Sequence, residues 1–116
     1  MSLLLVALPI SAVAETYLLM AEEEGCIYCA RWNAEVGDAY HKTEEGAAAP
    51  LHRVDVKADV SDLQLARPLH FTPTFVLIRD GVELSRIEGY PGEDFFWGLL
   101  DRMLEDAGED LSDHAG

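Results

Sequence analysis

Basic side chains are scarce in this 116-residue chain: 8 Lys and Arg stand against 22 Asp and Glu, for a formal net charge of −14. A chain so acidic is repelled by phosphate backbones and anionic lipid, which argues against nucleic acid as a partner. Cysteine is scarcer still. Two residues, Cys26 and Cys29, rule out a disulfide-dense scaffold, and the four scattered histidines complete no compact zinc set with them. No apolar run reaches the roughly 20 residues that a membrane-crossing helix requires. Repeats and low-complexity segments are missing as well. What remains is the length of one domain, with 49% hydrophobic residues and therefore enough apolar surface to build a core.

The ends read differently from the middle. Residues 1–14, MSLLLVALPISAVA, carry no charge and finish in Ala12-Val13-Ala14. An apolar run closed by an A-x-A pattern is expected to be the remnant of a secretory signal, cleaved after Ala14; a first core strand over Leu3 to Leu8, stopped by Pro9, is the competing reading. The domain itself is expected over residues 15–107. Residues 108–116 close the chain as an acidic, solvated tail.

Between these ends the apolar spacing changes with each element. Thr16 to Met20 reads as a buried strand, stopped by Glu22-Glu23-Glu24-Gly25. From Cys26 to about Glu45, Cys29, Trp32, Val36 and Tyr40 recur at helical steps. Leu51 to Val56 alternates as a strand. Asp62 to Arg67 predicts a short helix ended by Pro68. Thr74 to Ile78 is a dense β-branched and aromatic strand. Asp80-Gly81 then predicts a type I′ hairpin turn into a strand from Val82 to about Glu88. Gly89 to Gly92 breaks that strand, and Glu93 and Asp94 open a last helix with Phe95, Phe96, Leu99, Leu100, Met103 and Leu104 as its apolar stripe. The order is β-α-β-α-β-β-α. A βαβ unit followed by a hairpin predicts a mixed four-stranded sheet with helices on both faces.

Chemistry concentrates where the first strand meets the first helix. Cys26 falls at the helix start, where unpaired N–H groups and the macrodipole favour a thiolate, the form that attacks disulfides. Cys29, one turn later, falls on the core stripe within reach to resolve a mixed disulfide. A metal site reads poorly: Cys26, Cys29, His41 and His52 give C-x2-C-x11-H-x10-H, far from short zinc spacings. A purely structural disulfide closes too small a loop to restrict the unfolded chain much. Thr72-Pro73 stands just before the third strand, a place where proline, lacking an N–H, needs a reason to be.

The strand-Cys26-Ile27-Tyr28-Cys29-helix unit, Thr72-Pro73 before TFVLI, the Asp80-Gly81 hairpin and Gly89 ahead of the last helix together resemble the thioredoxin superfamily. The likeness covers about Glu15 to Ala107. It implies Cys26 as attacker and Cys29 as resolver, a cis bond at Pro73, and a shallow peptide groove formed by Gly25, Ile27, Tyr28, Thr72, Pro73 and Gly89. More narrowly, GCIYC with HFTPTFVLIRDGVELSRIEGYPG resembles the SoxS-type periplasmic thioredoxins of bacterial sulfur-oxidation (Sox) clusters. That likeness implies a reductase; the chain is further expected to be exported, monomeric, cofactor-free and without a metal. Its substrate would be a protein thiol or disulfide, the Sox carrier protein, and its electrons would come from a membrane thiol transporter.

The chain departs from ordinary thioredoxin at Ile27-Tyr28 and at Gly25, which replace a Gly-Pro pair and a tryptophan. Tyr17 to Met20 also place no carboxylate beneath the resolving cysteine, so general-base help must come from water, another carboxylate or the substrate. Glu22, Glu23 and Glu24 crowd the nucleophile with no cation nearby in sequence, which favours a reducing couple. A disulfide isomerase or oxidase shares these motifs, and a two-thiol metal module is a further alternative. Tyr28 is a candidate for substrate choice, with His70, Tyr90 and Pro91 as lesser ones.

Overall fold

The computed structural model describes residues 2–5 and 15–111. Most of the expected signal segment therefore lies outside the described residues, as does 112–116 of the acidic tail; residues 2–5 are exposed and carry no regular structure.

Strand β1 (Thr16–Glu22) runs through the middle of the molecule. It pairs in parallel with β2 (Leu51–Asp55) and antiparallel with β3 (Thr74–Arg79), which pairs antiparallel with β4 (Val82–Glu88). The sheet order is β2-β1-β3-β4. A parallel neighbour needs a long crossover, and helical segments supply it here. These are α1 (Ile27–Trp32), a π-helical turn (Asn33–Gly37), α2 (Asp38–Tyr40) and α3 (Glu44–Ala48). The β3–β4 turn has φ of 52° at Asp80 and 80° at Gly81, the two positive values that a type I′ turn requires. Helix α4 (Glu93–Asp106) closes the fold.

Alternation along the strands splits the apolar residues between two faces. Leu18, Met20, Phe75 and Leu77 meet Cys29, Trp32, Val36 and Tyr40 from the crossover and Phe96, Leu100 and Leu104 from α4. Trp32 is the centre of this core, 5.2 Å from Phe75 and 5.7 Å from Phe96 between ring centroids. Leu19, Val76 and Ile78 face the other way, under Leu63, Leu65 and Leu69.

Three local expectations are corrected. The helix from Cys26 to Glu45 stops at Tyr40: the Thr43 hydroxyl donates to the Tyr40 carbonyl at 2.6 Å and accepts from Gly46 N–H at 3.0 Å, starting α3 afresh. Gly46 fits there because a Cβ would collide with the Tyr40 carbonyl. The helix over Asp62–Arg67 does not form, so both long helical layers cover one face and an irregular strap covers the second. A six-residue helix closed by Pro68 nucleates poorly. The strap takes extended hydrogen bonds instead, Gln64 N–H to Gly81 and Glu83 N–H to Gln64, which turns Leu63 and Leu65 toward the sheet. Phe95 and Leu99 are exposed; α4 buries a ridge of three residues spaced four apart, Phe96, Leu100 and Leu104, and Phe95 is rotated about 100° from Phe96.

Where α4 faces α3, burial, a hydrogen bond with Glu45 and the charges of Glu45, Glu105 and Glu44 push the Asp101 carboxyl up to about 7. The folded chain thus holds a proton that the unfolded chain releases near pH 4, so stability falls as pH rises from about 4 to 7. Asp101→Asn is expected to flatten that slope and to raise stability at pH 8 by on the order of 1 kcal/mol, because solvent screens part of the repulsion. Urea midpoints measured at pH 5 and pH 8 check this; equal pH slopes in the two proteins would contradict it.

Candidate active site

Cys26 leaves β1 through a tight turn in which its N–H bonds the Glu23 carbonyl at 3.1 Å and Gly25 adopts φ 82°, a value costly for any side-chain-bearing residue. It is the N-cap of α1: extended itself, with its Sγ accepting the Cys29 N–H at 3.1 Å. That donor is one of the helix's orphan N–H groups, so negative charge on Cys26 Sγ is met by a hydrogen bond and by the positive helix end. The two cysteines form a disulfide with Cα atoms 5.2 Å apart. Cys26 is half-buried, whereas Cys29 is buried in the core cluster that also holds Trp32 and Met20. Only the first sulfur is open to a large reactant.

The turn before β3 supplies a second wall. The Thr72–Pro73 peptide is cis, and the Thr74 hydroxyl donates to the Phe71 carbonyl at 2.6 Å, holding the bend. The Pro73 carbonyl accepts Gly89 N–H at 2.7 Å, which draws the end of β4 against it. Among the described residues the Thr72 backbone has no backbone partner. Tyr28, Phe71, Thr72, Glu88 and Gly89 line one shallow groove, which continues along Tyr90 and Pro91. Of the six residues expected there, Tyr28, Thr72 and Gly89 are brought together; Gly25 and Ile27 are exposed outside this lining, Ile27 at 74%, and Pro73 is buried behind the wall. His70 is exposed and outside this lining. Tyr90 donates to Glu35 Oε1 at 2.9 Å, and burial together with that bond pushes its hydroxyl up to about 12.

Two groove residues, Phe71 and Glu88, escape the sequence reading. An aromatic one residue ahead of Thr-Pro with no strand to fill was the available signal for Phe71. Glu88 carried none, since its place depends on Arg67 and Arg86, which bind its carboxylate at 2.5 Å and 3.6 Å. The acidic turn is also less bare than expected. Arg53 pairs with Glu22 at 2.8 Å and Lys57 approaches Glu23 at 3.7 Å, cations brought from β2 and the loop after it. Arg53 further donates to Asn33 Oδ1 at 2.8 Å and lies 5.6 Å from the Trp32 ring centre.

His52 stacks on Tyr17 at 4.1 Å, away from any cysteine role. Among the described residues no three His, Cys, Asp or Glu side chains group as a metal site, and no helix is long and apolar enough to cross a membrane.

Comparison with known families matches residues 10–104 to the thioredoxin-like domain. Among solved structures, the periplasmic thioredoxin SoxS of Paracoccus pantotrophus, in its reduced form, is 53% identical. The alignment covers 80% of this chain and 99% of that one, with a TM-score of 0.78. A search of curated proteins finds no match.

Proposed function

This chain belongs to the thioredoxin-like family, and from that membership we propose that it is a periplasmic thiol–disulfide oxidoreductase working as a reductase of protein cysteines. The observation that carries the reading is the half-buried Cys26 Sγ. It sits at a helix start and accepts the Cys29 N–H, and Tyr28, two residues on, lines one groove with Thr72, whose backbone an extended peptide can pair with.

In the reaction, Cys26 thiolate attacks one sulfur of the partner's disulfide. The partner's S–S bond breaks, a mixed disulfide forms, and the leaving sulfur takes a proton from water. Cys29 then attacks Cys26, expelling the partner's second thiolate and forming the Cys26–Cys29 disulfide. Two electrons have passed from the dithiol to the partner. A dithiol donor, a membrane thiol transporter in this reading, returns the pair to its reduced state by the same exchange. Gly25 leaves the approach to Cys26 open, Tyr28, Thr72 and Gly89 guide the partner along the groove, exposed Ile27 stands beside Cys26, and buried Pro73 sets the wall from behind. The 53% identity to SoxS supports a partner in sulfur oxidation, the Sox carrier protein, and export through cleavage after Ala14.

Equilibration against glutathione tests the direction. A potential below about −200 mV is expected; a value near the roughly −120 mV of a strong oxidant would overturn the reductase reading in favour of an oxidase.

A further inference from the structure

Contiguous exposed apolar side chains mark contact sites, and three large ones belong to this region: Ile27 and Tyr28 stand between the two cysteines, and Phe71 shares a groove with Tyr28. Ile27, Tyr28 and Phe71 are 74%, 54% and 59% exposed. Two of the three, Tyr28 and Phe71, line the groove at Thr72 and Gly89. Neither belongs to a core cluster. Phe71 precedes the cis bond, and its backbone carbonyl is tied down by Thr74. Tyr28 rides on the first turn of α1, its ring 5.7 Å from the Arg31 guanidinium. The rings are therefore mounted on anchored backbone rather than on free loops, which reduces the ordering cost on binding.

The acid in the groove is already spoken for. Glu88 is held by Arg67 and Arg86, so a substrate meets two rings and a neutralised carboxylate there. A basic segment gains little at such a place, and an acidic one gains less. A bulky apolar side chain gains the area of both rings.

Resting on the oxidoreductase reading, we infer that Tyr28 and Phe71 form a specificity clamp for substrate segments with a large apolar residue beside the reacting cysteine. These two residues touch the substrate without taking part in the sulfur exchange. Covering one exposed aromatic face contributes about tenfold in rate constant, which equals about 1.4 kcal/mol.

Single-turnover rates of the DTT-reduced full chain test the clamp, using two glutathione-capped peptides that differ only in Leu or Ser next to the cysteine. The wild type is expected to reduce the Leu peptide about tenfold faster. Phe71→Ala is expected to bring that ratio to within about threefold of unity, and Phe71→Leu to restore most of it. Equal rates in the wild type, or a ratio that survives both Phe71→Ala and Tyr28→Ala, overturns the clamp. Hydroxyethyl disulfide, which has no side chain to grip, keeps the two failures apart. If the wild type does not reduce it, the oxidoreductase reading falls; if it does while the peptides react alike, only the clamp falls.

Discussion

Cys26→Ser is expected to lower insulin-disulfide reduction by roughly 10³-fold or more, the scale of losing a reacting nucleophile. A serine hydroxyl at the same helix start is not ionised near neutral pH, so the Cys29 N–H has no thiolate to stabilise. Cys29→Ser is expected to behave differently. Cys26 keeps its exposure and its N–H donor, which comes from the backbone and survives the substitution. The first attack then proceeds within about tenfold of the wild-type rate, and the mixed disulfide accumulates because nothing resolves it. Stopped-flow rates and mass spectrometry of the trapped adduct separate the two variants. Equal losses without an adduct, or an adduct on Cys29 in the Cys26→Ser chain, would reverse the assigned roles. The asymmetry follows from burial: Cys29 is only 3% exposed and belongs to the core cluster, where an incoming chain cannot reach it.

Features set by neighbours in sequence were legible. The cysteine pair at a strand–helix junction and the Asp80-Gly81 turn carry their own local geometry and lie where their residue types predict; the cis bond at Thr72-Pro73 was implied by the family resemblance, since a proline by itself does not select it. The strap from 58 to 70 misled because Asp62–Arg67 has helix-compatible residues, yet Leu63 and Leu65 also fit the two-residue period of an extended chain lying on a sheet. Tertiary hydrogen bonds to Gly81 and Glu83 decide between them. Strand β4 was misleading in a different way. In a regular strand Glu83 and Arg86, three apart, point to opposite faces. The register shift that pairs Leu77 with Ser85 but Ile78 with Glu83 skips Leu84. That bulge turns Glu83 to the same face as Arg86 and leaves Leu84 exposed. No alternation count along VELSRIE contains it. Phe71 and Glu88 were missed for the same reason, since the groove they line is assembled from segments far apart in the chain.

The bulge makes Arg86 the residue whose loss should cost the fold most among its charged groups. Its guanidinium donates to both Glu83 carboxylate oxygens at 2.7 and 2.8 Å, to the Arg67 carbonyl at 2.8 Å and to the Pro68 carbonyl at 3.3 Å. The two side chains are only 4% and 5% exposed. Arg86→Ala would strand Glu83 without its cation and leave the strap carbonyls unpaired; removing one member of a buried pair costs about 3–5 kcal/mol. The Arg86 hydrogen bond is also the main reason the Glu83 carboxyl lies below its ordinary value. Its contribution is therefore present at neutral pH and is lost as pH falls through that lowered value, so the wild type and Arg86→Ala should converge in stability under acid. Glu83→Leu combined with Arg86→Met is expected to recover most of the neutral-pH loss, because no charge is then left buried. A loss below about 1 kcal/mol for Arg86→Ala in urea titrations, or strict additivity in the double variant, would mean the pair is not what holds the strap. The consequence reaches the site: Arg67 and Pro68 lie a few residues ahead of Phe71 and Thr72, so a strap released by Arg86→Ala should be cut by protease first between 58 and 73. Substrate selectivity at the groove should weaken in the same variant before the Cys26–Cys29 exchange itself does.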